Sequence, residues 1–242
     1  MLKNWLEPDW PAPANVHAAS TLRSGGVSTG VYSSLNPATH VGDDVSHVQK
    51  NRTLITQMLA LPAEPAWLEQ VHGQTVLKAE QVQGLQQADA SFTQQAQVVC
   101  AVMTADCLPV LFCSSDGQSV AAAHAGWRGL LAGILTNTLL ALQAKEVLVW
   151  LGPAIGQNCF EVGAEVREAF VQKNSDYAAA FIAQGTAHYL ADIYQLARIE
   201  LANAGVSKIY GGDFCTVTDQ ARFFSYRRDN QTGRMATLIW RS

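Results

Sequence analysis

The sequence feature that most constrains the fold is a long apolar run over residues 98–112. The run does not alternate with polar residues, which is typical of strands that are buried on both faces. The pair Asp106 and Cys107 interrupts it, and a second apolar stretch, residues 119–123, ends at His124. Polar reactive groups at the ends of buried strands commonly mark the functional sites of α/β proteins. The sequence therefore predicts an internal sheet with a candidate site at one edge.

Shorter patterns predict the remaining strands and helices. Period-2 alternation and short apolar runs predict strands over residues 14–22, 65–72, 75–79, 147–151, 208–210 and 235–240. Helical spacing of apolar residues predicts helices from Ser46 to about Leu61 and over 127–143, 161–171 and 190–204. Pro109 cannot donate to a sheet ladder, so we expect a bend or a sheet edge there.

The order of these elements favours an α+β fold in which mixed β-sheets pack between helices. Strands outnumber helices roughly two to one and do not alternate regularly with them, which argues against a doubly wound fold. The sequence has no internal repeat and no linker composition. Residues 1–242 are therefore predicted to form a single catalytic domain.

Composition limits the classes of partner and compartment. Apolar residues make up 48% and charged residues 15% of the chain, as in globular proteins. The net charge is −4 and no cluster of Lys or Arg is longer than two, so no nucleic-acid partner is expected. No apolar run approaches the roughly 20 residues that span a bilayer, and no secretion signal is visible. The five cysteines include no Cys-x-x-Cys pair, so they are predicted to be reduced thiols of a cytoplasmic protein.

Three polar residues form a candidate zinc site: His72, Cys107 and His124. Each ends or interrupts an apolar strand close to a Gly, a Pro or a turn, so the three side chains can converge at one edge of a sheet. A catalytic zinc needs three protein ligands and an open fourth position, where the pKa of a bound water falls to about 7. Asp106 is predicted to orient a histidine or to move a proton. Cys107, His124 and Asp106 are therefore the catalytic candidates.

Two other interpretations use the same residues. Without a metal, Cys107 and His124 would form a nucleophile and base pair, with a glycine-rich loop as the oxyanion hole. The second is that Cys107 is a small buried side chain, which is the commoner role of a free cysteine. This role is assigned to Cys100, within the apolar run, and to Cys113, directly after residues 98–112. Metal content distinguishes the nucleophile pair from the zinc site.

Several motifs resemble those of the laccase-domain family, whose members are named multicopper polyphenol oxidase, purine nucleoside phosphorylase and peptidoglycan editing factor. The motifs are Val71-His72-Gly73, Thr104-Ala-Asp-Cys107-Leu-Pro, His124-Ala-Gly-Trp-Arg-Gly129, Gly152-Pro-Ala-Ile-Gly156, Phe160-Glu-Val, Arg23-x-Gly-Gly-Val-Ser, Ser34-Leu-Asn36, Asn51-Arg52 and Ser225-x-Arg-Arg-Asp with Thr-Gly-Arg234. They follow one another over nearly the whole chain. The resemblance implies a fold similar to the catalytic domain of the cytotoxic necrotizing factor toxins, and it implies zinc at His72, Cys107 and His124.

The resemblance also implies a set of activities. They are phosphorolysis of adenosine, inosine, guanosine and S-methyl-5'-thioadenosine, hydrolytic deamination of adenosine, copper-dependent oxidation of phenols, and removal of a misplaced serine from a peptidoglycan precursor. We predict a zinc-dependent purine nucleoside phosphorylase and adenosine deaminase, with purine nucleosides and phosphate as its partners. The alternatives are an amidase acting on a peptidoglycan precursor, a polyphenol oxidase with copper at the same site, and a non-enzymatic binding protein of cell-wall synthesis.

Phosphorolysis requires an anion site for phosphate. The predicted contacts are backbone N–H groups of the glycine-containing loop at 24–28 and the side chains of Arg23, Ser28, Asn36, Arg52 and Arg128. A mobile surface loop and solvated arginines are the alternative interpretation of the same pattern.

Overall fold

The computed structural model describes residues 3–242 of the chain. Within them the strands are β1 (Trp5–Leu6), β2 (Val16–Thr21), β3 (Leu68–Glu69), β4 (Val76–Lys78), β5 (Gln86–Gln87), β6 (Ala90–Thr93), β7 (Val99–Thr104), β8 (Leu108–Ser114), β9 (Val120–Ala125), β10 (Val147–Leu151), β11 (Glu161–Gly163), β12 (Phe181–Gln184), β13 (His188–Ala191), β14 (Lys208–Gly211) and β15 (Met235–Arg241). The α-helices are α1 (Val45–Met58), α2 (Trp127–Ala132), α3 (Ile134–Leu142), α4 (Ala164–Lys173), α5 (Ile193–Asn203) and α6 (Tyr226–Asp229). Short 3₁₀ helices occupy Gly30–Tyr32, Ala79–Gln81, Gln157–Cys159 and Ser175–Ala180. None of the helices in this part of the chain combines the length and the apolar character needed to cross a membrane.

Two large sheets organise the chain. The first has the strand order β1-β2-β15-β7 and is antiparallel throughout. The second has the order β14-β10-β8-β9-β6-β4 and is mixed, because the pairs at its two edges, β14 with β10 and β6 with β4, are parallel. Strands β11-β13-β12 and β3-β5 form two smaller sheets.

The two large sheets pack face to face between layers of helices. One apolar cluster lies between them and contains Val102 and Ile239 from the first sheet and Leu111 from the second. A second cluster joins Ile55 of α1 to the outer face of the first sheet. The largest cluster packs helices α2 to α5 against the outer face of the second sheet. The predicted packing of β-sheets between helices is confirmed, although only the second large sheet is mixed and the first is antiparallel. The likeness to the cytotoxic necrotizing factor domain stays a prediction.

Strands β7, β8 and β9 are buried on both faces, as their continuous apolar sequence predicted. Every residue of these three strands is buried. Along β7, Ala101 packs beneath α1 while Val102 packs between the sheets. Full burial of a Val, Leu, Ile, Phe or Met side chain contributes about 1.5–3 kcal/mol. These central strands therefore form a rigid base for the groups at their ends.

The sequence predicted a bend or a sheet edge at Pro109, and this prediction is wrong. It lies in β8, which is flanked on both sides by strands of the second sheet. The Pro109 carbonyl accepts a hydrogen bond from Gly152 N at 2.9 Å, and the reciprocal N–H is the group that proline lacks. The Tyr194 hydroxyl lies 3.2 Å from the Gly152 carbonyl oxygen, within hydrogen-bonding distance. A side chain can therefore supply the donor that the strand is missing.

Two of the predicted helices have different boundaries in the structure. An N-cap residue explains one difference and a glycine explains the other. The first helix begins at Val45 because Asp44, and not Ser46, is its N-cap: the Asp44 carboxylate accepts from Ser46 N at 2.7 Å and from His47 N at 3.3 Å. The helix predicted over 127–143 is divided into α2 and α3 by Gly133, whose φ is +96°. This left-handed conformation ends a helix and is favourable for glycine.

The helices predicted over 161–171 and 190–204 begin later than expected. Strand β11 precedes α4, and strand β13 precedes α5. Asp192 marks the start of α5, because its carboxylate accepts from Tyr194 N and Gln195 N, both at 3.0 Å. Short strands carry apolar residues that also fit a helical period, so periodicity alone extended both helices.

Candidate metal centre

The side chains of His72, Cys107 and His124 converge in the structure. Their ligand atoms all lie within 4.8 Å of one another, and Cys107 Sγ is 3.7 Å from His72 Nε2. A sulfur and a nitrogen that bind one tetrahedral zinc ion are expected to lie about 3.6 Å apart. One thiolate and two imidazoles are also donors that zinc and copper accept. The three side chains therefore fit a divalent transition-metal ion.

Two of these ligands are positioned by the central strands. Cys107 lies where the chain passes from β7 in the first sheet to β8 in the second, just after a sharp turn at Asp106, whose φ is +92°. His124 lies near the end of β9. Ala122, two residues earlier, packs between the two sheets, so alternation directs His124 toward the same gap.

His72 reaches the centre from outside the two large sheets. The strand predicted over 65–72 is reduced to β3, and His72 has a left-handed φ of +60°. A non-glycine residue in this region costs about 1–3 kcal/mol and persists only where its surroundings hold it there. The Asp89 carboxylate does so by accepting from His72 N at 2.9 Å and from Gly73 N at 2.6 Å.

Asp89 also binds His124. Its Oδ1 lies 2.8 Å from His124 Nδ1, and the Asp89 side chain is fully buried. A carboxylate on Nδ1 favours the tautomer in which Nε2 is free to bind a metal. The sequence patterns did not identify Asp89 as a site residue. The available signal was an acid directly before Ala90–Thr93, the short stretch that forms β6.

Gln70 fastens the segment that carries His72 to the edge of β7. Its Nε2 donates to the Met103 carbonyl and its Oε1 accepts from Met103 N, both at 2.7 Å. β7 is the last strand of the first sheet. The amide therefore makes the pair of hydrogen bonds that another strand would make at this position.

Gly126 leaves the space that two of the ligands occupy. A Cβ at this position would lie 2.9 Å from His72 Cδ2 and 3.0 Å from Cys107 Sγ. Such distances are too short for carbon against carbon or sulfur. Any larger residue directly after β9 would therefore displace both side chains.

The cluster stabilises a thiolate. Burial raises the pKa of the Cys107 thiol, but the neighbouring His124 imidazole outweighs burial and lowers that pKa to about 6. Burial lowers the pKa of His124, and the Cys107 thiolate and the Asp89 carboxylate outweigh it and raise that pKa to about 9. A thiolate beside a protonated imidazole favours a cation, and a metal ion can take the place of the imidazole proton.

The Asp106 carboxylate makes its hydrogen bonds to other loops. It accepts from Thr216 Oγ1 at 2.5 Å and from Arg227 N at 2.6 Å. These contacts hold two segments of the C-terminal part of the chain against the centre. The hydrogen bond to a histidine that the sequence assigned to Asp106 is made by Asp89.

A cavity of about 390 Å³ is lined by the three ligands. Its wall also contains three arginines, of which Arg128 was predicted as a phosphate contact. Arg227 and Arg234 were not assigned, although the paired arginines and the Thr-Gly-Arg turn of the C-terminal part were a signal for anion binding. The remaining lining residues are His40, Gln70, Met103, Thr104, Ala105, Asp106, Trp127, Ile155, Phe160, Ile193 and Tyr226.

Two of the predicted phosphate contacts, Arg23 and Arg52, lie outside this lining. Arg23 donates to two backbone carbonyls and stacks on Phe224. Arg52 donates to one backbone carbonyl and stacks on Trp67, with its guanidinium carbon 4.4 Å from the ring centroid. Both guanidinium groups contact other parts of the fold, although Arg52 Nη2 is buried without a hydrogen-bond partner among the described residues.

The other two, Ser28 and Asn36, belong to a hydrogen-bond network beneath the loop at 24–28. Both donate to the Asp43 carboxylate, Ser28 Oγ at 2.6 Å and Asn36 Nδ2 at 2.9 Å. Asn51 donates to Ser28 Oγ at 2.8 Å and accepts from the loop backbone at 2.9 Å. The network fastens the loop, and neither predicted residue lines the cavity.

Fold and site define the chain as a mixed α/β protein with a three-ligand candidate metal centre in the wall of a cavity. The family model described as multi-copper polyphenol oxidoreductase laccase matches residues 17–242. The chain belongs to this family, and the family predicted from the motifs is confirmed.

Relatives of known name cover almost the whole chain. The purine nucleoside phosphorylase YfiH of Escherichia coli K12 is 56% identical over 238 residues, which are 97% of this chain and 98% of that protein. A purine nucleoside phosphorylase of Pseudomonas aeruginosa is 53% identical over 239 residues, which are 98% of each chain. The crystal structure of Neisseria meningitidis protein NMB0706 superposes with a TM-score of 0.97 at 51% identity, over 99% of this chain and 100% of that one.

Proposed function

We propose that the chain is a zinc-dependent purine nucleoside phosphorylase that also deaminates adenosine. One observation carries the proposal: a single cavity brings the candidate metal ligands together with three arginines and three aromatic rings. The names of the Escherichia coli and Pseudomonas aeruginosa relatives support it. The proposed nucleosides are adenosine, inosine, guanosine and S-methyl-5'-thioadenosine, with phosphate as the second substrate.

The arginines of the cavity are proposed to bind phosphate. Arg128 is exposed in the wall and, within residues 3–242, has no ion-pair partner, so its guanidinium is available to an anion. Burial lowers the pKa of Arg234, while the charges of Cys107 and Asp106 favour its protonated form. Arg234 is therefore placed to shield an incoming anion from both of these negative groups. Guanidinium groups bind phosphate through charge-assisted hydrogen bonds.

The aromatic side chains are proposed to bind the purine. Trp127, Phe160 and Tyr226 all line the cavity, and an arginine lies over each ring. A purine base stacks on such rings with little dependence on its substituents, which suits an enzyme that accepts several purine nucleosides. The cavity volume, about 390 Å³, falls in the range of small-ligand sites.

His72, Cys107 and His124 would hold the zinc ion. When bound, the ion supplies positive charge that stabilises negative charge developing during the reaction, and it acidifies water. Asp89 keeps His72 and His124 in place through their backbone and ring nitrogens. Asp106 keeps the Arg227 backbone against the cavity.

Phosphorolysis exchanges one bond at the ribose for another. A phosphate oxygen forms a bond to C1′, and the bond between C1′ and the purine nitrogen breaks. The electron pair of that bond leaves with the purine, which takes up the proton that the attacking phosphate loses. The positive charges of the arginines stabilise the phosphate anion as it approaches C1′, and the aromatic rings hold the leaving purine in a fixed orientation.

Deamination of adenosine uses the same cavity with water in the place of phosphate. Water attacks C6 of the adenine ring and ammonia leaves, which yields inosine. The oxidase alternative generally requires several copper ions. Within residues 3–242, His72, Cys107 and His124 form the one group of three or more His, Cys, Asp or Glu side chains that is placed to hold a metal.

The test is an incubation of zinc-loaded, copper-free protein of measured metal content with adenosine, with and without phosphate. We expect adenine and ribose-1-phosphate only when phosphate is present, and inosine in both samples. Unchanged adenosine in both samples would contradict the proposal and leave the peptidoglycan amidase or a binding role. Activity that appears only after copper loading would favour the oxidase.

A further inference from the structure

The five cysteines fall into three environments. Cys100 and Cys113 lie between the two large sheets, where burial raises the pKa of both thiols to about 12 and makes them unreactive. Cys107 belongs to the candidate metal centre. Cys159 and Cys215 are partly exposed. Cys159 ends the 3₁₀ helix Gln157–Cys159, and Cys215 lies in the segment after β14.

Cys159 and Cys215 both contact the backbone of Gly156. Gly156 N lies 3.3 Å from Cys215 Sγ and donates to it, and Cys159 N donates to Gly156 O at 3.0 Å. A Cβ at Gly156 would lie only 3.0 Å from Cys215 Cβ, so a larger residue would push the loop at 213–219 away from the loop at 152–160. The absence of a side chain at Gly156 allows the two cysteine-bearing loops to touch.

The two thiols differ in acidity. Burial raises the pKa of Cys215, but hydrogen bonds from Thr218, Gly156 and Val217 to its sulfur outweigh burial and lower that pKa. Burial raises the pKa of Cys159, and the neighbouring Cys215 thiol raises it further. Cys215 is therefore the residue that ionises first, with the Cys159 thiol beside it still protonated.

We propose that Cys215 and Cys159 form a reversible disulfide when the protein meets a hydroperoxide. The Cys215 thiolate attacks the terminal peroxide oxygen and the O–O bond breaks. The leaving oxygen takes up the proton that the Cys215 thiol released and departs as water or an alcohol. The Cys159 sulfur then attacks the sulfenic acid on Cys215, the S–O bond breaks, and the Cys159 proton leaves with the hydroxide as water. The peroxide gains two electrons and the two thiols lose them.

The disulfide would join two loops that shape the cavity. The Cys159 carbonyl accepts from Arg227 Nη1 at 3.1 Å, and the next residue, Phe160, lines the cavity. Thr216, which follows Cys215, donates to the Asp106 carboxylate. Oxidation would therefore link the two loops covalently and restrict their movement at the cavity wall, while Cys107 would stay unoxidised. This inference does not depend on the proposed phosphorylase activity.

The test uses reduced, zinc-loaded protein treated with a small excess of hydrogen peroxide. We expect the loss of two alkylatable thiols per chain, a proteolytic peptide in which Cys159 is linked to Cys215, and recovery of both thiols with dithiothreitol. Bound zinc, measured in the same sample, should be unchanged. A link that contains Cys107, or release of zinc in step with thiol loss, would overturn the proposal.

Two variants test the order of the steps. Cys159→Ser is expected to leave a sulfenic acid on Cys215 that dimedone traps, because the second thiol is missing. Cys215→Ser is expected to abolish the linked peptide and to slow thiol oxidation by at least about 10-fold. Equal oxidation rates in the two variants, or dimedone adducts on Cys159, would show that Cys215 is not the attacking thiolate.

Discussion

The Asp89 carboxylate lies 2.8 Å from His124 Nδ1, and both side chains are buried at the end of the second sheet. The same carboxylate accepts a hydrogen bond from the backbone N–H of His72. A single acid therefore couples a ligand on a central strand to a ligand on a segment outside the sheets. Such partners of metal ligands typically contribute 10–100-fold to affinity, which flags Asp89 as a residue to test first.

Replacing Asp89 by Asn keeps the shape of the side chain and removes its charge. We expect zinc to bind about 10–100-fold more weakly, measured by competition with a chromogenic chelator. Asp116→Asn is the matched control, because Asp116 is an acid that bonds Ser114 in a surface turn. An Asp89→Asn protein with the zinc affinity of the parent would show that this carboxylate does not position the ligands.

Substitution of Cys107 tests metal binding independently of the stability of the fold. Cys107→Ala is expected to lose bound metal and phosphorolysis together, because one of three ligands is missing. Cys113→Ala, a substitution of a thiol buried between the sheets, should keep both and lower the free energy of unfolding by roughly 1 kcal/mol. Phosphorolysis by the metal-free parent protein would instead support the Cys107 and His124 nucleophile pair.

The assignment of phosphate to the cavity arginines is tested by two substitutions. Arg128→Gln removes a charge from the cavity wall, and we expect the phosphate KM to rise about 10–100-fold with a smaller effect on the nucleoside KM. Arg52→Gln removes a guanidinium that stacks on Trp67 outside the cavity lining. It should lower the melting temperature and leave both KM values near those of the parent. The reverse pattern would restore the sequence-based assignment of phosphate to Arg52.

Glu200 is expected to make stability depend on pH. Its Oε1 accepts from Thr136 N and Oγ1, whereas Oε2 has no hydrogen-bond partner among the residues that the structure describes. Burial raises the pKa of this carboxyl. A carboxyl with a raised pKa in the folded state stabilises the protein below its unfolded pKa, and this contribution is lost as pH rises through the folded pKa.

The Glu200→Gln variant should therefore melt at a higher temperature than the parent at pH 8, with the difference shrinking toward pH 4. Thermal unfolding at both pH values measures this. Glu168→Gln, at an exposed position on α4, is the control and should show little difference at either pH. A lower melting temperature for Glu200→Gln at pH 8 would contradict the argument.

The sequence was sufficient for the central strands and for three side chains that the structure brings together, whereas their binding of a metal stays a prediction. Continuous apolar runs identified β7, β8 and β9, and each candidate ligand stood at the end of such a run or interrupted it. Helix starts were predicted less well, because caps such as Asp44 and strands such as β11 depend on single residues that periodicity averages out.

The residues that support the site were harder to predict because their partners are distant in sequence. Asp89 binds a histidine 35 residues later, and Asp106 binds Arg227 N across 121 residues. The left-handed backbone of His72 leaves no trace in a hydrophobic pattern. Arg227 and Arg234 carried a motif but no indication of which face of the fold they would reach.

The attachment of residues 70–73 indicates how an ion at the candidate metal centre would be exchanged. This segment is held by the Gln70 amide and the Asp89 carboxylate, and His72 is the solvent-exposed member of the three ligands. Segments fastened by a few side chains open locally at a small fraction of the free energy of global unfolding. Opening here would release His72 while Cys107 stays in the connection between β7 and β8 and His124 stays on β9. We therefore expect metal uptake and loss to proceed at the rate of this local fluctuation, with no need for either sheet to come apart.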